Sequence, residues 1–123
     1  MTKQEVLKDR SKQFAIRVIK LFRALPKTDE ARIIGKQVLR SGTSVAANYR
    51  AVCRARSSAE FIAKIGVVVE EADETVFWLE LLVETEIVNA QKLKPLMDEA
   101  NELLAIFAAS QITAKSNSPK YKK

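Results

Sequence analysis

Phe61, Ile65, Val68, Ala72, Thr75, Leu79 and Leu82 follow one another at alternating spacings of four and three. That spacing returns to one side of an α-helix, and no strand can hold it on one face. A second row, Ile62, Val69, Val76 and Val83, repeats every seven residues beside it. Ser57 and Glu60 form a capping-box pattern at its start, and no breaker follows before about Glu86. The segment therefore predicts one long helix, and so long an apolar side needs helical partners.

The rest of the chain supplies them. Phe14, Val18, Leu21 and Leu25 predict a helix from about Ser11 to Leu25, stopped by Pro26. Thr28 is placed to cap a second helix with Asp29 and Glu30 in its first turn. Its stripe reads Ile34, Val38, Ser41, Val45, Asn48 and Val52, in phase across Gly42. The basic face keeps its phase there too, so one continuous helix is expected. Asn89 can cap a fourth helix with the stripe Leu93, Leu96, Ala100, Leu103 and Phe107, although Pro95 makes its first turns irregular. With only 3 Gly and 3 Pro, a turn-rich β fold is excluded. The expected fold is all-α, an antiparallel up-down four-helix bundle over residues 1–110, with residues 111–123 as a flexible basic tail.

Composition narrows the chemistry. Histidine is absent, which removes the commonest general base and the commonest neutral metal ligand. Cys53 is the only cysteine, so the usual zinc sites and any intrachain disulfide are excluded. A cluster of Glu70, Glu71, Asp73 and Glu74 reads as a solvated acidic face or an acceptor for a basic helix, ahead of a cation site. No cofactor, metal or enzymatic activity is expected. The N-terminal segment has no long apolar run, which points to the cytoplasm and away from a membrane.

Charge is unevenly spread. Met1 to Arg56 carries 14 basic and 4 acidic residues, Ser57 to Phe107 carries 3 and 11, and Ala108 to Lys123 carries 4 and none. Arg32, Lys36, Arg40, Arg50 and Arg54 project as one row about 33 Å long on the second helix. The row is either a solvated face or, with the first helix and the basic tail, a track for a phosphate backbone. Tyr49 and Tyr121 are the rings expected to be accessible. On the third helix Val67, Phe77, Trp78 and Leu81 lie off the core stripe, which suggests a subunit interface, or else a helix central to a thick core. Gln37, Ser41, Ser44 and Asn48 fall near the inner face of the second helix and are expected to be buried, with the Ser41 and Ser44 hydroxyls bonded to the preceding turn and Asn48 making a specific hydrogen bond, for example to a polar side chain of the third helix.

The run QVLRSGTSVAANYR from Gln37 to Arg50 carries the pattern Q-x-x-x-S-x-x-S-x-x-x-N. Ser57 to Lys64 and Glu74 to Leu82 add S-x-x-x-F-x-x-K and E-x-x-x-W-L. Together, from about Phe14 to Ala109, they resemble the small helical proteins first noticed as reading frames in intervening sequences of bacterial 23S ribosomal RNA. The resemblance implies an antiparallel bundle that assembles into a ring, typically a homopentamer. It also implies a likeness in fold to the accessory proteins of diversity-generating retroelements, which associate with a reverse transcriptase and nucleic acid. It brings no catalytic residues. Relatives usually carry an acid just after the asparagine, as N-Y-R-E-A, where this chain has Ala51 and Val52. The expected function is a non-enzymatic, ring-forming bundle that associates with RNA or a ribonucleoprotein. The alternative is a protein–protein adaptor whose charge polarity serves self-assembly alone.

Overall fold

A computed structural model describes residues 1–121, apart from the side chain of Tyr121. Four helices follow in order: α1 (Lys3–Ala24), α2 (Asp29–Val52), α3 (Ser58–Glu84) and α4 (Ala90–Ser116), with a short 3-10 turn at Pro119–Tyr121. The connections are only four or five residues long, which forces successive helices to run antiparallel. Among the described residues there is no strand. The architecture is an all-α four-helix bundle.

The helix starts follow local chemistry. Thr28 and Ser57 cap α2 and α3 by accepting from the Ala31 and Glu60 amides. Asn89 accepts from the Gln91 and Lys92 amides at the start of α4. Pro95 stands inside α4 without ending it. It lacks an amide, so the Gln91 carbonyl four residues back has no helical donor, and Gln91 is exposed to water. The α3 helix ends where Glu86 adopts φ 61°. There its amide reaches the Val83 carbonyl, while the Val88 amide reaches that of Leu82.

Two boundaries differ from expectation. The first helix begins at Lys3 rather than near Ser11, because Thr2 and Glu5 form a complete capping box. Burial of Leu7 and Ser11 carries the added turns. The fourth helix continues past Ser110 to Ser116, so the first six residues of the expected tail are helical. Lys122 and Lys123 lie outside the described residues.

The core is built from Phe14 and Val18 of α1, Val38, Val45 and Val52 of α2, Ile65, Val68, Leu79 and Leu82 of α3, and Leu103 and Phe107 of α4. One helix, α2, runs unbroken through Gly42. That glycine is needed for close approach: a Cβ there would stand 2.9 Å from Cγ2 of Val18. Val18 is β-branched and fully buried, so it could not swing aside.

The bundle is closed unevenly. Its helices pack closely as α1 on α2, α2 on α3 and α3 on α4, whereas α1 and α4 touch sparsely. That open seam is bridged by Arg10, which donates to Glu99 at 2.6 and 3.2 Å and sits 3.2 Å from Glu102. Beyond the bridge lies a cleft of about 610 Å³ with Leu7, Tyr49, Phe61 and Ile106 in its wall.

Candidate nucleic-acid interface

The basic row on α2 is not one uniform track. Arg32 and Lys36 are exposed near its N-terminal end, and the Arg32 guanidinium donates to the Lys27 carbonyl at 3.1 Å. Arg40, in the middle, is taken up within the chain. It binds the Glu71 carboxylate at 3.2 Å and the Glu74 carboxylate more closely still. Trp78 donates its indole N–H to the same Glu74 oxygen at 3.2 Å. Trp78 and Arg40 together hold the Glu74 carboxyl below the usual carboxylate range. The expected row is therefore interrupted: Arg40 joins α2 to α3, its charge paired with two carboxylates although the side chain is still half exposed.

Toward the C-terminal end of α2 the picture changes. Arg54 lies beyond the last helical turn, its amide bonded to the Ala51 carbonyl at 3.1 Å. Arg50 and Arg54 line a recess of about 570 Å³ together with Arg56 from the connecting loop and Lys64 from α3. Ala47 and Ala51 line the same recess, where longer side chains would take up its space. Its one carboxylate, Glu60, stands 3.5 Å from the Lys64 ammonium. Ala51 is the position at which the resemblance above leads one to expect an acid.

A second hollow, of about 420 Å³, lies beside the first. It is lined by Lys8 and Lys12 of α1 and by Ala46, Ala47 and Arg50 of α2. The two hollows share Ala47 and Arg50, so they form one continuous basic surface. Among the described residues, Lys8, Lys12, Arg50, Arg54 and Arg56 have no salt-bridge partner. Positive charge concentrated in concave surface raises the local concentration of anions. No helix among the described residues is long and apolar enough to cross a membrane, and no acidic or cysteine cluster among them could hold a metal ion.

The sequence pointed to Arg50, Arg54 and the basic first helix, but not to Lys8, Arg56 or Lys64. Lys8 could have been found from the T-x-x-E capping box, which extends α1 over it. Arg56 and Lys64 reach the recess only through the α2–α3 turn, and no local pattern announces that. Tyr49, expected to be accessible, is buried and packs on Phe107 with ring centroids 5.0 Å apart. Burial, with Cys53 beside it, pushes the Tyr49 phenol up to about 12. It is a neutral core group and no stacking platform. The side chain of the other expected ring, Tyr121, lies outside the described part of the structure.

The inner polar residues divide. Ser41 is fully buried, donates to the Gln37 carbonyl at 2.8 Å and accepts from the Thr75 hydroxyl at 2.9 Å. Gln37, Ser44 and Asn48 are only half-buried. Asn48 donates to the Ser44 carbonyl of its own helix at 2.8 Å, not across to α3. It lies on the flank of the stripe, where its own preceding turn is the nearest acceptor. The buried polar link between α3 and α2 is made instead by Thr75 and Ser41.

On the outer side of α3, Val67 and Phe77 are exposed, Phe77 by 50 %. Trp78 and Leu81 are half-buried, with Trp78 packed against the core and edge-on to Phe77 at 4.9 Å. Of the four candidate interface residues, Val67 and Phe77 are thus the two most exposed. They share that side with Glu70, Asp73, Glu80 and Glu84, all exposed.

A family model described as 23S rRNA-intervening sequence protein matches residues 3–109. No curated protein matches the chain. Among solved structures, a protein with unknown function from the S23 ribosomal protein family of Bacteroides thetaiotaomicron is 35% identical. The match covers 89% of this chain and 98% of that one, with a TM-score of 0.82.

Proposed function

Since the chain belongs to the 23S rRNA-intervening sequence protein family, we propose that it is a non-enzymatic, cytoplasmic protein that holds RNA by its phosphate backbone. One observation carries this reading. The two joined hollows expose Lys8, Lys12, Arg50, Arg54 and Arg56 without intrachain carboxylate partners, while Arg40 elsewhere on the same helix is neutralised. Of the 15 acidic residues, Glu60 alone lines this surface, and it pairs with Lys64. Contacts of this kind position a strand and do not read its bases. The burial of Tyr49 fits that limit, since it removes a ring on which a base could stack.

Fluorescence anisotropy with a short single-stranded RNA, across a salt series, tests the reading. Binding should weaken with a log–log slope of about −0.7 per phosphate contacted, and unrelated sequences should bind alike. Absence of binding at low salt would sink it.

A second reading concerns assembly and is supported by the outer side of α3. Phe77 is a large ring half open to water, ringed by carboxylates, in a chain whose other half is strongly basic. A second copy could cover it by a head-to-tail contact that closes into a ring, such as a homopentamer. Light scattering at micromolar concentration should give an oligomer mass, reduced by Phe77→Glu. A monomer mass for the parent would remove the ring and leave the RNA surface to act alone.

A further inference from the structure

We propose that the recess at the α2–α3 turn is a seat for a phosphomonoester, the phosphorylated end of an RNA strand whose body lies in the neighbouring hollow. The inference rests on the RNA-binding reading above and specifies which part of the strand each hollow takes.

Charge is the first argument. The recess gathers three guanidiniums, from Arg50, Arg54 and Arg56, and the Lys64 ammonium, against the single carboxylate of Glu60. An internal phosphodiester brings one negative charge and two free oxygens. A terminal phosphate brings about −1.5 to −2 charges and three free oxygens. Guanidinium forks pair with such oxygens two at a time, so three forks on one small volume suit the terminal group better.

Shape is the second. The recess lies between the end of one helix and the beginning of the next, with cations contributed by α2, the turn and α3. The adjoining hollow runs between α1 and α2, is lined by Lys8, Lys12 and Arg50, and meets the recess at Arg50 and Ala47. A strand laid along the α1–α2 hollow would bring its end to the denser charge. The small side chains of Ala47 and Ala51 line the place where the phosphate would sit.

The ends of RNA can carry such a phosphate at either the 5′ or the 3′ position, and the test separates them. One RNA sequence is prepared with a 5′-phosphate, with a 3′-phosphate and with hydroxyls at both ends. Anisotropy at fixed salt should show one phosphorylated form binding about tenfold tighter than the hydroxyl form, the worth of one further charge-assisted contact. Ala51→Glu puts a carboxylate into the recess at a helix position that tolerates glutamate. It should reduce the preference to less than twofold, as should the paired change Arg56→Gln and Lys64→Gln, with helix content by circular dichroism unchanged in both. Equal affinity for all three forms overturns this inference alone. A preference that survives in both variants also overturns it, because the end would then be held elsewhere. No binding to any form overturns the RNA reading itself.

Discussion

Changing Arg50 and Arg54 together to glutamate should weaken binding of single-stranded RNA by about 25-fold or more at ~0.1 M salt. Each phosphate contact on a single strand contributes about 0.7 log units of affinity at that concentration, so two lost contacts account for about 1.4 log units. The two new carboxylates would repel the strand as well. Arg50 lines both hollows and Arg54 the recess, so the pair affects both parts of the surface. Both side chains are exposed and free of salt bridges among the described residues, so the fold should not suffer. A matched variant, Arg32→Glu with Lys36→Glu, changes the same charge at the far end of α2. If the two variants lose affinity equally, binding reflects net charge and the surface described here is not the site.

Phe107→Ala should cost about 3–5 kcal/mol of stability, the usual range for emptying a buried phenylalanine site. Phe107 has no solvent exposure, and it packs on Tyr49. A domain of this size has only about 5–15 kcal/mol in total, so the variant should be near the limit of folding at 37 °C. Urea unfolding would read the loss as a lower midpoint with an unchanged slope. Phe107→Leu, which keeps most of the volume, should lose far less. A loss under about 1 kcal/mol for the alanine variant would mean that the ring is not braced as the structure has it. The effect also reaches the basic surface, because Tyr49 immediately precedes Arg50 on α2. A loosened Tyr49 would let that turn of the helix move.

Much of the fold could be read because apolar stripes at helical spacing leave few alternatives. The continuity of α2 across Gly42 followed from two faces that kept one phase. The stripe could not reveal why a glycine is there, since that depends on Val18 of another helix. The early start of α1 was missed because only Leu7 and Ser11 are buried before Phe14, too few to make a stripe, although Thr2 and Glu5 marked it. The last turns of α4 were missed for a related reason: from Gln111 to Ser116 no side chain is fully buried. Inner and outer polar residues on α2 were confused where they lie on the flank, as Asn48 and Ser44 do. The candidate site was legible only in part. Arg50 and Arg54 share a helix end with a visible phase, whereas Lys8, Arg56 and Lys64 converge on them through packing. Arg40 shared the same phase but met Glu71 and Glu74, which sit on α3 in three dimensions and nowhere near it in the chain.

The uneven closure of the bundle bears on how the chain folds and breathes. Three of its four seams join helices that follow each other directly, so most contacts form between residues close in sequence, a topology that folds in microseconds to milliseconds. The fourth, with Arg10 and Glu99 separated by 89 positions, must wait until the others are in place. What closes last with few contacts also opens first. Native-state opening should therefore begin where α1 meets α4, exposing amides of the first turns of α1 to exchange while α2 and α3 stay protected, with the helix that carries Arg50 in the slow-exchanging part.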